Sequence, residues 1–189
     1  MARPREFDPD TAMQDAMNVF WDFGYEDASL PRLLSGMGLT RGSFYKAFEG
    51  KKPLFLSTLR RYEDIAVQPA IEMLSDPALL DGSDRIERAL RSVTQAVRAG
   101  DQRGCMLCST AAGPAYSDPD IQAVVQELLG KMRGGFETAL AATLQTPRAL
   151  NAEADMLVTQ YAGLRILSRS GLSVDALDRS IDAILKQLR

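Results

Sequence analysis

Histidine is absent from this chain of 189 residues. That removes the commonest general base and the commonest zinc ligand, which argues against an enzyme or a zinc protein. Cysteine is almost absent, with only Cys105 and Cys108. Two thiols three apart make no disulfide framework, and a reducing compartment fits them. Period-two alternation of apolar and polar residues is missing, which argues against strands. There is no long apolar run and no secretory leader, so the expectation is a cytoplasmic protein with no membrane partner. A Gly-rich phosphate loop and a nucleophile constellation are missing as well. No enzyme, catalytic residue, cofactor or bound metal is expected.

What is present is helical period almost throughout. Asp8 can cap a first helix with Pro9 in its first turn. Met13, Ala16, Met17, Phe20 and Trp21 give that helix an apolar face, and Gly24 can end it. Ser29 caps a short second helix carrying Leu30, Leu33, Leu34 and Met37. Gly36 and Gly38 break it, and Thr40 caps a third. Two short helices joined by a glycine turn form a helix-turn-helix pattern, which also occurs in plain bundles. A fourth helix is expected from Lys51 to about Ser75, kinked at Pro69. Residues 76–82 read as a loop. Further helices are expected at about 84–99, 104–112, 119–145, 150–170 and 173–188. The fold class is therefore all-α: an N-terminal three-helix unit with the helix-turn-helix pattern over 1–62, then a helical bundle over 63–189.

Charge is uneven along the chain. The net charge is −3, yet residues 39–61 carry six basic groups and one acid. Phe44 and Phe48 lie four apart and anchor the third helix. Arg41, Ser43, Tyr45 and Lys46 point donors in other directions, which suits a nucleic-acid groove. Arg41 and Lys46 can each donate to guanine O6 and N7, and Gly42 permits close approach. Thr40, Ser43 and Ser29 stand at helix starts, where spare N–H groups favour phosphate. For Thr40 a simple cap is an equal reading. Arg3 and Arg5 form an arm that can follow a minor groove.

The segments Arg-Pro-Arg-Glu-Phe-Asp (3–8), Ala16-Met17-Asn18-Val19-Phe20-Trp21 with Gly24-Tyr25, and Leu39 to Phe48 with Lys51 and Leu54-Phe55 resemble the DNA-binding domain of the TetR/AcrR family. The resemblance covers about residues 3–62. Pro31, Gly36 and the Lys51-Lys52-Pro53 run depart from the family's usual residues. The resemblance implies that Tyr45 and Lys51 contact phosphates. It also implies a homodimer on a palindromic double-stranded operator, repressing transcription until a small-molecule or electrophile effector releases it. Two recognition helices would then stand about 34–36 Å apart, or at a related spacing. An activator, or a helical thiol-redox or small-molecule-binding protein that does not bind DNA, is the alternative.

The effector side is less defined by sequence. Cys105 and Cys108 share a helix face. They can be sensor thiols, metal ligands, a dithiol centre or plain core. Met73, Val97, Met106, Tyr116, Met132, Phe136 and Tyr161 are candidate pocket residues, and Arg165 is a candidate anion or dimer contact. The expected dimer surface is Leu157, Val158 and Leu164 together with Leu177, Ile181, Ile184, Leu185 and Leu188.

Overall fold

The structure is a computed structural model and describes residues 7–143 and 147–188. No strand occurs among the described residues, and none of their helices is long and apolar enough to cross a membrane. Helix α1 (Pro9–Asp27) begins where the Asp8 carboxylate accepts from the N–H groups of Asp10 and Thr11. Helices α2 (Leu30–Gly36) and α3 (Arg41–Ala47) start at the Ser29 and Thr40 side chains. Each cap satisfies an N–H that has no partner inside its helix. Helix α4 (Lys51–Tyr62) lies along α1. Phe55 meets the rings of Phe20 at 4.8 Å and Tyr25 at 4.9 Å, and Tyr62 meets Trp21 edge-on at 4.9 Å. Leu33 and Phe44, both fully buried, bring α2 and α3 onto this core.

The expected kink at Pro69 takes another form. The chain passes from α4 into a π turn (Glu63–Val67) and then α5 (Gln68–Ser75). Pro69 has no N–H for Ile65 and would crowd its carbonyl. A wider turn just before it, with Gln68 N–H donating to the Glu63 carbonyl, relieves both problems. The buried positions record the shift: Phe55, Leu59, Tyr62, then Val67, Ala70 and Leu74. The step from Tyr62 to Val67 is five residues instead of three or four.

The body contains α6 (Gly82–Arg98), α7 (Met106–Ala111), a 3₁₀ turn (Pro114–Ser117), α8 (Pro119–Ala141), α9 (Pro147–Arg169) and α10 (Val174–Gln187). Helices α8 and α9 form the main pair, with α5 and α6 packed against α8. Helix α10 closes on α6, where Arg91 bridges Asp178 and Asp182, and Arg98 bridges Asp178.

That packing corrects the expected dimer surface. Leu157, Leu164, Leu177, Ile181, Ile184 and Leu185 are buried within a single chain, and Leu188 packs against the same core. Amphipathic period marks which face is buried but not whether the cover is the chain itself or a second copy. Of that set, Val158 alone lines a groove at the surface.

Candidate nucleic-acid interface and candidate sensor cavity

Helix α3 is held from below and open above. Phe44 is sealed, with the Phe48 ring 5.6 Å away and Tyr45 edge-on at 5.2 Å. Its outer face carries Arg41, Gly42, Tyr45 and Lys46, all exposed. The Arg41 guanidinium lies 5.9 Å from the centre of the Tyr45 ring. Thr40 serves as a cap, its hydroxyl accepting from Ser43 N–H at 3.2 Å and lying 3.0 Å from the Ser43 hydroxyl. Ser29 does the same for Arg32 N–H at 3.4 Å. Lys51 turns inward: its ammonium donates to the Glu26 carbonyl at 3.2 Å and sits 4.6 Å from the centre of the Tyr25 ring. Desolvation there lowers its pKa from the usual lysine value. Neighbouring Lys52 is committed to Asp118 at 2.6 Å and Asp120 at 2.7 Å, which ties the start of α4 to the start of α8. Arg3 and Arg5 lie outside the described residues.

A cavity of about 20 Å³ is lined by Tyr62, Ala66 and Val67 of the α4–α5 junction, by Cys105, Leu107 and Cys108, and by Leu129, Met132, Val158, Tyr161 and Ala162. Arg165 reaches the same region. Its guanidinium donates to the Tyr62 hydroxyl at 3.3 Å and to the Gly104 carbonyl at 2.5 Å. The neighbouring Cys108 thiol and the Arg165 charge both favour a thiolate on Cys105. Together they pull the Cys105 pKa down to about 6 against the opposing cost of burial. The same pairing and burial push Cys108 well above the ordinary thiol range. Burial raises both Tyr62 and Tyr161.

The family profile described as bacterial regulatory proteins, tetR family, matches residues 13–58, which run from inside α1 into α4. Over that segment this chain resembles the TetR family. It is 32% identical over 126 residues to the HTH-type transcriptional regulator YezE of Bacillus subtilis (strain 168). That match covers 64% of this chain and 62% of YezE, so the chain spans less than two thirds of that relative. It is 24% identical over 176 residues to the HTH-type transcriptional repressor BdcR of Escherichia coli (strain K12), covering 93% of this chain and 86% of BdcR. Among solved structures, it superposes on a cysteine mutant of the TetR family regulator CifR, complexed with 26-base-pair operator DNA. The TM-score is 0.87 at 25% identity, covering 97% of this chain and 98% of that one.

The other expected pocket residues are dispersed. Met73 lines an open surface groove with Pro69 and Arg88. Val97 is core on α6. Met106 faces a separate small cavity toward Phe20 and Trp21. Tyr116 is half-buried, its hydroxyl accepting from Gln126 at 3.2 Å. Phe136 is fully buried and meets Tyr161 at 5.8 Å. Tyr62, Ala66 and Val67 are the lining that the sequence hides, because ordinary apolar period places them in a helix core. A second feature is a shallow groove of about 580 Å³ along α8 and α9, lined by Leu129, Gly130, Arg133, Val158, Thr159, Ala162, Gly163 and Ile166. Ile166 is 51% exposed there, and Leu167 beside it is 45% exposed.

Proposed function

We propose that this protein is a homodimeric repressor that reads a palindromic operator with α3. A small molecule or a thiol-reactive compound acting at the Cys105 cavity releases it. The observation that carries this reading is the sealed Phe44 beneath an open face of Arg41, Gly42, Tyr45 and Lys46. An aromatic anchor costs nothing at the outer face, so the donors there are free for DNA. The operator-bound CifR structure and the BdcR repressor support it by likeness. Arg41 and Lys46 are the proposed base readers, and Tyr45, Ser43, Thr40 and Ser29 the phosphate contacts. Lys51 acts indirectly, by closing the carbonyl end of α1. Arg3 and Arg5 complete the proposed set along the minor groove. We divide the chain into a reading head over 1–62 and a body over 63–189, at the start of the π turn.

The dimer is assigned to the open groove of α8 and α9. A pair of antiparallel helices with exposed Ile166 and small residues at Gly130 and Gly163 suits a two-fold four-helix contact. Ile166→Glu places a charge in that apolar contact. Sedimentation should find this variant monomeric with its helicity retained, and a dimer of unchanged stability would count against the groove.

Operator selection with purified protein tests the reading as a whole, and one enriched palindrome is the expected outcome. On that operator, Lys46→Ala should lose about 1–3 kcal/mol of affinity and relax preference at one base pair. Equal affinity for the variant and the parent protein would remove Lys46 from the interface.

A further inference from the structure

Three features around α7 are unused by DNA reading. First, Cys105 and Cys108 stand three residues apart at the start of α7 and border one cavity. Cys105 is extended (φ −113°, ψ 121°) and Cys108 lies in the helical turn that follows, and both residues line that cavity. Second, the enclosed charge of Arg165 has only neutral hydrogen-bond acceptors among the described residues, the Tyr62 hydroxyl and the Gly104 carbonyl. A buried cation is stabilised by a nearby anion, and a thiolate on Cys105 supplies one. Third, the cavity holds about 20 Å³. That admits one or two water-sized molecules, whereas a drug-sized ligand fills about 300 Å³ or more.

We infer that Cys105 and Cys108 form a reversible dithiol switch whose substrate is a small hydroperoxide, with Cys105 the attacking sulfur and Cys108 the resolving one. This rests on the regulator reading and adds the chemical class of the signal. Cys105 enters as a thiolate and Cys108 keeps its proton, in keeping with their opposite shifts. The thiolate attacks the outer peroxide oxygen and the O–O bond breaks. The departing oxyanion takes a proton and leaves as water or an alcohol. Cys105 is now a sulfenic acid, oxidised by two electrons, and the peroxide is reduced by two. The Cys108 sulfur then attacks the Cys105 sulfur. The S–O bond breaks, and the displaced hydroxide leaves with the Cys108 proton as water. The sum is one dithiol and one hydroperoxide giving one disulfide, one alcohol or water, and one further water. A low-molecular-weight thiol returns the pair by exchange.

The consequence for DNA runs through charge. The disulfide is neutral, so Arg165 loses the anion beside it. Its hydrogen-bond partner Tyr62 closes α4 and packs against Trp21 of α1, so the guanidinium is two contacts from the reading head. Any regrouping around Arg165 bears on the π turn that joins head to body.

The experiment uses the full-length protein, first reduced with dithiothreitol and then given a small excess of hydrogen peroxide. Intact mass and peptide mapping follow, alongside operator binding. The parent protein should lose two hydrogens, gain a Cys105–Cys108 linkage and recover fully with dithiothreitol. Cys108→Ser should stop with one added oxygen on Cys105, trapped by dimedone. Cys105→Ser should stay unmodified over the same time. Oxidised parent protein should release operator, and both variants when reduced should hold it. Over-oxidation of Cys105 in the parent protein without linkage, or first reaction at Cys108, overturns the assignment. A disulfide that leaves operator affinity unchanged overturns the switch. Absence of operator binding even in the reduced protein defeats the regulator reading instead, and the mass data still decide the dithiol chemistry.

Discussion

Phe44→Ala should abolish operator binding and cost about 3–5 kcal/mol of stability, the usual range for an emptied aromatic site. Helix α3 has seven residues, and a helix so short is not stable by itself in water. Phe44 is its single fully buried side chain, and its ring is the one that Tyr45 and Phe48 pack against. Without it, Tyr45, Arg41 and Lys46 lose the platform that aims them. For a chain of this size the loss corresponds to a fall in melting temperature of about 6–20 °C. Thermal unfolding by circular dichroism, run beside an operator-shift assay, measures both effects. Loss of binding with unchanged melting would instead mean that Phe44 itself meets the DNA.

Gly104→Ala should have the second-largest effect, about 2–5 kcal/mol. Gly104 has φ +75°, where any Cβ costs about 1–2 kcal/mol. Here the Cβ would also stand 2.6 Å from the Arg165 carbonyl oxygen and 3.1 Å from Arg169 Cβ. Both belong to α9, whose backbone cannot give way locally, so overpacking adds about 1–3 kcal/mol. The loop around Gly104 is clamped from several sides. Arg169 donates to the carbonyls of Trp21, Asp22 and Arg103, and Arg103 donates to Asn18 and lies 3.9 Å from the centre of the Trp21 ring. Displacing it should loosen the end of α1 as well as the Arg165 contact to Tyr62. A lowered melting point together with weaker operator binding is the expected pair of results. A variant as stable as the parent protein would mean that α9 yields more easily than its packing implies.

Local signals carried most of the fold. Asp8-Pro9, Ser29, Thr40, Asp118-Pro119 and Ser173 begin helices in the structure, because a cap and the N–H groups it serves lie within three residues of each other. Pro69 announced a disturbance but not its kind, since a kink and a π turn answer the same missing donor. Lys51 shows the limit for charges. Sequence gives the sign, but not that the ammonium folds onto the Glu26 carbonyl. The buried row on α10 shows the limit for apolar faces, where Leu177 and Ile181 are spent on α6 of the same chain. In the candidate sensor site, Cys105, Cys108, Met132, Tyr161 and Arg165 could be named from residue type and spacing. Tyr62 and Ala66 could not, because their place in the cavity depends on the widened turn.

That widened turn also sets an angle. Each residue of an α-helix turns the chain by about 100°. The extra residue between Tyr62 and Val67 therefore lets one continuous rod present one side to α1 and a different side to α8. Removing one residue from 63–67 would restore the regular winding. Then either the α1 face or the α8 face would point away from its partner. In a two-fold dimer both heads would turn together, each in the same sense about its own rod. Chain length in these five residues thus acts as a phase setting, and changes there reach the DNA as rotation before any contact with it is lost.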